Sequence, residues 1–249
     1  MRVSPRKVNA IIGMKFQTIL NNLSVILGPI LSIGFVFVMK NVMPDFDANA
    51  TTELGFSMDA FVLSFGIIFN IAIAGISMSS SPLAEEKEKN TLRVLMTSSV
   101  NGVEYLIGTL IPPLFILVLA NIIIVPVSGV SFGEIQFGSY LIITTVASLI
   151  SLLIGYIFGI IAKNQAQTSL LTMPLTLILT SVPVLKAFQK DWAEVLDYTY
   201  TGVLTNFAHS IFTESGYQWN PTDIGVLFGW FILSFGIFIY AYKKNGLDG

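Results

Sequence analysis

The chain has 249 residues, of which 53% are hydrophobic and only 11% are charged. This charged fraction lies far below the roughly 25% of soluble globular domains, so the composition favours a membrane protein whose solvent is lipid. The net charge of −2 gives no support to nucleic-acid binding, and the absence of cysteine and the single histidine exclude a disulfide framework, a thiol nucleophile and a two-histidine metal site.

Residues 1–22 predict an amphipathic helix that lies in the membrane interface. Apolar residues recur at helical spacing from Val8 to Leu23, whereas Asn9, Gln17 and Asn21 lie on the opposite side. The basic start is similar to that of a signal peptide, but polar residues interrupt the apolar core and no cleavage site follows, so we expect the segment to be retained. The alternative is a long first span with a frayed start.

Six uncharged intervals are each long enough to cross the hydrocarbon core, which needs about 20 apolar residues as a helix. A charged residue at the centre of a spanning helix costs about 2.5–3.5 kcal/mol, so the gaps between charges mark the spans. The predicted spans are 24–43, 60–82, 104–128, 138–162, 167–187 and 223–243. We therefore predict an all-α membrane protein with a single transmembrane domain over residues 1–249.

The lysines and arginines predict the orientation. If the N-terminus is inside, ten of the 13 basic residues fall in inside segments and only Lys40, Lys186 and Lys190 fall outside. Basic residues concentrate in cytoplasmic loops, so both termini and the loop at 83–100 are predicted to be cytoplasmic.

The outer segment 188–222 is too apolar for a plain linker. Its two apolar runs, from Trp192 to Tyr200 and from Val203 to Phe212, are each too short to span. We predict two short re-entrant helices in the outer leaflet, a geometry that is tolerated where such helices pack against protein.

The chain lacks the motifs of a nucleotide-binding P-loop, a zinc protease and a serine hydrolase, and no charge lies in the middle of a predicted span. Consequently we predict no catalytic residue and no metal ligand, and a secondary carrier becomes less favoured. Within the spans, Gly155-x-x-x-Gly159 and Gly225-x-x-x-Gly229 are candidates for close helix contact, and Asn70 and Asn121 are candidates for hydrogen bonds between helices.

The most charged stretch of the chain is "LAEEKEKNTLRVLMTSSV", residues 83–100. Its charges are interpreted as the solvated end of the second span. The less charged part that follows, "NTLRVLM", predicts a short capped helix near 91–98 with a small apolar face. This helix either lies on the lipid or inserts into a groove on a partner, and the residue pattern alone leaves both open. The residues of this predicted contact are Glu86, Asn90, Thr91, Leu92, Arg93, Leu95 and Met96.

This stretch resembles the cytoplasmic loop of type-2 ABC transporter permeases, where a charged run precedes Gly-Thr-Leu, a leucine-rich helix and often a proline. The matching residues are Glu86, Thr91, Leu92 and Leu95. Asn90 replaces the usual glycine, a mild change because asparagine also tolerates a left-handed backbone. Ser99 replaces the proline, which leaves the helix end less sharply defined. The basic amphipathic start, six spans and short helices before the last span extend the resemblance to the whole chain.

The resemblance implies that the segment after span two is a coupling helix that docks on a separate ABC ATPase subunit. Two ATPase copies are expected, and ATP and Mg²⁺ would bind there rather than in this chain. A second permease would complete the complex as a homodimer or heterodimer in a bacterial-type cytoplasmic membrane.

The expected function is export of an amphipathic or hydrophobic substrate, with a peptide or drug-like antimicrobial as the first choice and a lipid as the second. Phe115, Asn121 and Phe158 are candidate residues of the substrate path. The alternative function is an ATP-independent channel or secondary carrier.

Overall fold

The computed structural model describes residues 3–42, 57–91, 102–213 and 216–244, and all regular structure in these ranges is helical. Six helices are long and apolar enough to cross a membrane. The chain is therefore an all-α, multi-pass membrane protein, as the sequence predicts.

The helices in chain order are α1 (Pro5–Asn21), α2 (Leu23–Val42), α3 (Met58–Ile68), α4 (Gly75–Glu88), α5 (Gly102–Val127), α6 (Phe137–Ile161), α7 (Gln165–Phe188), α8 (Lys190–Leu196), α9 (Tyr200–Ser210) and α10 (Pro221–Lys244). A π-helical turn, Phe69–Ala74, joins α3 to α4, so that span two is one 31-residue element. The other five spans begin and end within two residues of the predicted bounds. Span two instead continues to Glu88, because neighbouring helices bind its charged last turn.

One end of the bundle, here called the termini end, gathers α1, the start of α5 and the last turns of α4 and α10. The backbone N–H of Ser4 donates to Glu104 at 2.7 Å, and a Cβ placed on Gly102 would lie 2.5 Å from the Tyr242 hydroxyl. Helix α1 buries Val8 and Ile11 from its predicted apolar side. Its position in the membrane interface stays a prediction.

The opposite end, here called the loop end, carries the two short helices α8 and α9 between spans five and six. Thr199 caps α9, since its Oγ1 accepts from the Gly202 N–H at 2.9 Å. Lys186, in the last turn of α7, binds Asp197 and Asn206 and so holds both short helices. Burial and the nearby Lys186 charge lower the pKa of His209. Two short helices are present as predicted, and their re-entry into the membrane stays a prediction.

Candidate functional site

The last turn of α4, Glu85–Glu88, begins the charged stretch, and we call it the α4 terminal turn. The structure describes the chain from here only to Thr91. The predicted contact residues Leu92, Arg93, Leu95 and Met96 lie outside the described residues. The candidate site is therefore the turn from which that segment departs.

Glu86 connects the α4 terminal turn to α1 and α5. Its carboxylate forms an ion pair with Lys15, and these two side chains are only 16% and 9% exposed, respectively. The Tyr105 hydroxyl donates to the other carboxylate oxygen at 2.6 Å. The Lys15 ammonium also lies 5.4 Å from the centre of the Tyr105 ring, within cation–π range. Removing one partner of a buried ion pair costs about 3–5 kcal/mol because the other charge is left unpaired, so substitution of either residue would destabilise this junction.

Lys87 connects the same turn to α6. Its ammonium donates to the carbonyl oxygens of Gly159, Ile160 and Ala162, the last of these at 2.7 Å. The last carbonyls of a helix lack partners within the helix, and a cation near them is favourable. Lys87 therefore caps the C-terminus of α6 from a neighbouring helix.

Glu88 extends the connections to α7, because the backbone N–H of Gln165 lies 3.4 Å from its carboxylate. On the solvent side, Glu85 and Lys89 form an exposed ion pair at 2.6 Å. The Glu85 hydrogen bond and charge raise the pKa of Lys89. Glu86 and Lys87 correct the sequence interpretation: they turn inward, and only the outer part of the cluster is solvated.

Asn90 and Thr91 follow the end of α4. Asn90 has a φ of +57°, the left-handed conformation that asparagine tolerates in place of glycine. Thr91 Oγ1 donates to the Glu86 carbonyl at 3.2 Å, which pairs one of the free carbonyls of the last turn. Their predicted role at the start of the following short helix stays a prediction, since that helix would lie at 92–98.

The α4 terminal turn is a point of contact between helices. Three successive residues of the α4 terminal turn contact four other helices, α1, α5, α6 and α7. In the parts of the chain that the structure describes, no group of three or more acidic or histidine side chains could hold a metal ion. A displacement of this turn would therefore move the four helices that it binds.

The three candidate path residues do not share one surface. Phe115 is 53% exposed on the outside of α5 and packs edge-to-face on Phe16, with ring centres 5.8 Å apart. Asn121 is fully buried and accepts from Asn70 at 2.9 Å, which confirms the predicted hydrogen bond between helices. Phe158 on α6 is partly buried against the main core. Their role in a substrate path stays a prediction.

Sequence reasoning missed Lys15, Lys87 and Tyr105 as site residues. Lys15 carried a usable signal, because a lysine on the apolar side of an amphipathic helix needs a partner when that side is covered. Lys87 and Tyr105 carried none, since their partners lie 72 to 75 and 19 positions away in the chain.

Comparison with known proteins identifies the family. The family model of Rv2686c-like fluoroquinolones export permease proteins matches residues 20–239. No curated protein matches the chain significantly. The family match begins before α2 and ends inside α10, so it includes most of the chain, five whole spanning helices and most of the sixth. The chain therefore belongs to the Rv2686c-like fluoroquinolones export permease family, which confirms the resemblance to type-2 ABC exporter permeases.

Proposed function

We propose that this permease exports amphipathic, drug-like compounds and is driven by a separate ABC ATPase subunit. The α4 terminal turn is the observation that carries this proposal, because it joins the charged loop to α1, α5, α6 and α7. A subunit that is moved by a partner would need such a junction directly before the segment that contacts the partner.

In the proposed mechanism, Leu92, Leu95 and Met96 enter a groove on the ATPase, and Arg93 makes a polar contact at its rim. Hydrolysis of ATP with Mg²⁺ in two copies of the partner supplies the free energy. Movement of the segment displaces the α4 terminal turn. The helices that this turn binds move with it, and the permease then alternates between a state open to the cytoplasm and a state open to the outside.

The orientation that this mechanism requires places the termini end in the cytoplasm. Lys15, Lys87, Lys89 and Lys163 all lie near this end, in agreement with the preference of basic residues for the cytoplasmic side. Helix α1 would then lie along the inner membrane surface, and α8 and α9 would enter the outer leaflet.

A second permease copy, identical or related, would complete the transport path. Helices α2, α7 and α10 are the least buried spans. Only 22%, 28% and 28% of the residues in their most apolar stretches are buried. They leave apolar faces for lipid or for that copy. The family description names fluoroquinolones, which supports a drug-like substrate ahead of a peptide or a lipid.

The test is to purify the full chain with its candidate ATPase and to substitute Leu92→Asp and Leu95→Asp together. We expect loss of assembly and at least a tenfold loss of fluoroquinolone-stimulated ATPase activity, because a buried unpaired carboxylate is costly. Val94→Asp, on the opposite side of the predicted short helix, is the matched control. Unchanged assembly and stimulation in the double variant would reject the coupling role. Transport by proteoliposomes that contain no ATPase would instead favour a channel or carrier.

A further inference from the structure

Span two is interrupted near its middle by the π-helical turn Phe69–Ala74. The N–H of Gly75 bonds to the carbonyl of Asn70, five residues back rather than four. Such turns are rare and are frequently found at functional sites. The α4 terminal turn begins eleven positions after the π turn, and its contacts do not depend on the π turn. The π turn therefore needs its own explanation.

The two halves of span two have different main neighbours. The first half, α3, packs mainly against α9 and α2, whereas the second half, α4, packs mainly against α6 and α7. The α4–α6 contact is especially close, because a Cβ on Gly159 would lie 2.8 Å from the Ser80 carbonyl oxygen. The π turn therefore lies where the main neighbour of span two changes from α9 to α6. We call α3 with α9 the loop-end unit and α4 with α6 the termini-end unit; the two also meet directly, since the Ser151 and Tyr200 hydroxyls lie 2.8 Å apart.

A buried polar cluster surrounds this connection. Asn70, inside the π turn, donates from Nδ2 to Asn121 Oδ1 at 2.9 Å and to the Leu117 carbonyl at 3.1 Å. The Ser32 hydroxyl lies 3.3 Å from Asn70 Oδ1 and 2.7 Å from the Pro29 carbonyl of its own helix, so its single proton is shared between these two acceptors. Ser32, Asn70 and Asn121 are all fully buried. Because polar groups within hydrocarbon must find partners inside the protein, Asn70 binds the π turn to both α2 and α5.

This cluster has one donor more than it can pair. The Nδ2 of Asn121 is buried and has no hydrogen-bond partner among the described residues. The Asn121 carbonyl is held by the Tyr140 hydroxyl at 2.6 Å, so its backbone is fixed. An unpaired buried donor costs free energy, and a second arrangement of the cluster that pairs it would recover that cost.

We propose that the π turn is a joint in span two, positioned by Asn70, at which the termini-end unit pivots against the loop-end unit during transport. If the π turn relaxes to an α-helix, one half of the span rotates against the other by up to about 100°, the angle of one helical residue. Pivoting would carry movement of the α4 terminal turn to the loop end. The driving force, though not the joint itself, rests on the proposed ATPase coupling.

The chain has no cysteine, so cysteines introduced in pairs can carry spin labels without background. One pair, at Ser57 and Lys89, crosses the joint. The control pair, at Lys89 and Ile161, lies within the termini-end unit. In the full chain with its ATPase, ATP and Mg²⁺ are expected to shift the Ser57–Lys89 distance and to leave the Lys89–Ile161 distance unchanged. An unchanged Ser57–Lys89 distance in a complex that hydrolyses ATP and transports would overturn the joint.

The variant Asn70→Leu keeps the number and branching of the side-chain heavy atoms and removes the side-chain hydrogen bonds from the π turn to α2 and α5. We expect ATPase activity within twofold of the wild type, at least a tenfold loss of transport per ATP, and an altered Ser57–Lys89 distance even in the resting chain. Ser148→Ala is the matched control, because this buried hydroxyl donates only to its own helix, to the Thr144 carbonyl.

Equal transport and equal distances in Asn70→Leu and the wild type would reject the role of Asn70. If Asn70→Leu does not fold, the label pairs in the wild type still decide the joint. A wild-type chain that binds no ATPase would reject the proposed function instead. The comparison of resting distances in Asn70→Leu and the wild type would then test the joint by itself.

Discussion

Two regions of the molecule carry the same motif, Gly-x-x-x-Gly, in opposite surroundings. On α6, a Cβ on Gly155 would collide with the Ser79 hydroxyl and the Ile76 carbonyl of α4. On α10, a Cβ on Gly225 or Gly229 would meet no such neighbour within 4 Å among the residues that the structure describes. The motif permits a close approach of two helices, and the facing surface decides whether the approach takes place.

The facing surfaces differ in a simple way. Helix α4 presents small residues, Gly75, Ser79 and Ser80, so its backbone can reach the glycines of α6. At Gly225 and Gly229 the motif instead forms the floor of a groove whose lining includes Tyr198 and Trp230. The Trp230 indole donates to the Tyr198 carbonyl at 2.9 Å, which holds these large side chains beside the groove.

The largest expected effect is that of Gly155→Leu. The new side chain would meet backbone as well as side-chain atoms of α4, and backbone cannot move aside cheaply. We expect destabilisation by about 3 kcal/mol, at the upper end for overpacking, and a lower melting temperature of the purified chain in detergent.

Gly225→Leu is the matched control, since it adds the same side chain to the same motif in open space. We expect its melting temperature to equal that of the wild type. Equal melting temperatures for both leucine variants would contradict the contrast between the two regions.

A smaller effect is expected for Lys87→Met, at the end of the α4–α6 contact. This substitution removes the charge of the side chain and keeps most of its packing. Methionine keeps most of the side-chain length but leaves the last α6 carbonyls without their donor. We expect a loss of about 1–2 kcal/mol, seen as a lower melting temperature. Lys89→Met removes an exposed lysine and is expected to leave the melting temperature unchanged; an equal drop in both variants would contradict the capping role.

The sequence predicts the spans well because the cost of burying a charge acts locally and leaves a direct record in the chain. It predicts contacts poorly because they depend on distant partners. Nothing near Gly155 or Gly225 distinguishes the packed motif from the open one. The inward turn of Glu86 depends on Lys15, 71 positions earlier. The contacts of Asn70 in the π turn likewise have no local signal, since its partners lie 38 to 51 positions away in the chain.

The predicted site at Leu92, Leu95 and Met96 likewise has a part that the sequence predicts and a part that it does not. A helical pattern predicts an apolar face, and the family resemblance predicts what that face binds. The α4 terminal turn that holds this segment could not be predicted, because its bonds to α1, α5, α6 and α7 form only in the folded bundle.

The smallest expected effects come from alanine at the second glycine of each motif. At Gly159 a Cβ would lie 2.8 Å from the Ser80 carbonyl oxygen and 3.1 Å from the Leu83 side chain, so Gly159→Ala should lower the melting temperature slightly. At Gly229 the space is open, and alanine favours a helix over glycine by up to about 1 kcal/mol in water. Gly229→Ala is therefore expected to leave the melting temperature unchanged or to raise it.

The same position can show whether the α10 groove is free in the assembled transporter. Gly229→Leu should leave the isolated chain as stable as the wild type, because among the described residues no atom beyond its own helical turn lies within 4 Å of a Cβ placed there. If the variant chain is stable but no longer assembles with a second permease, the groove is a contact surface between subunits, and the two motifs differ only in which chain supplies the partner. If the isolated chain itself loses stability, the space around Gly229 is not open, and the contrast with Gly159 is wrong.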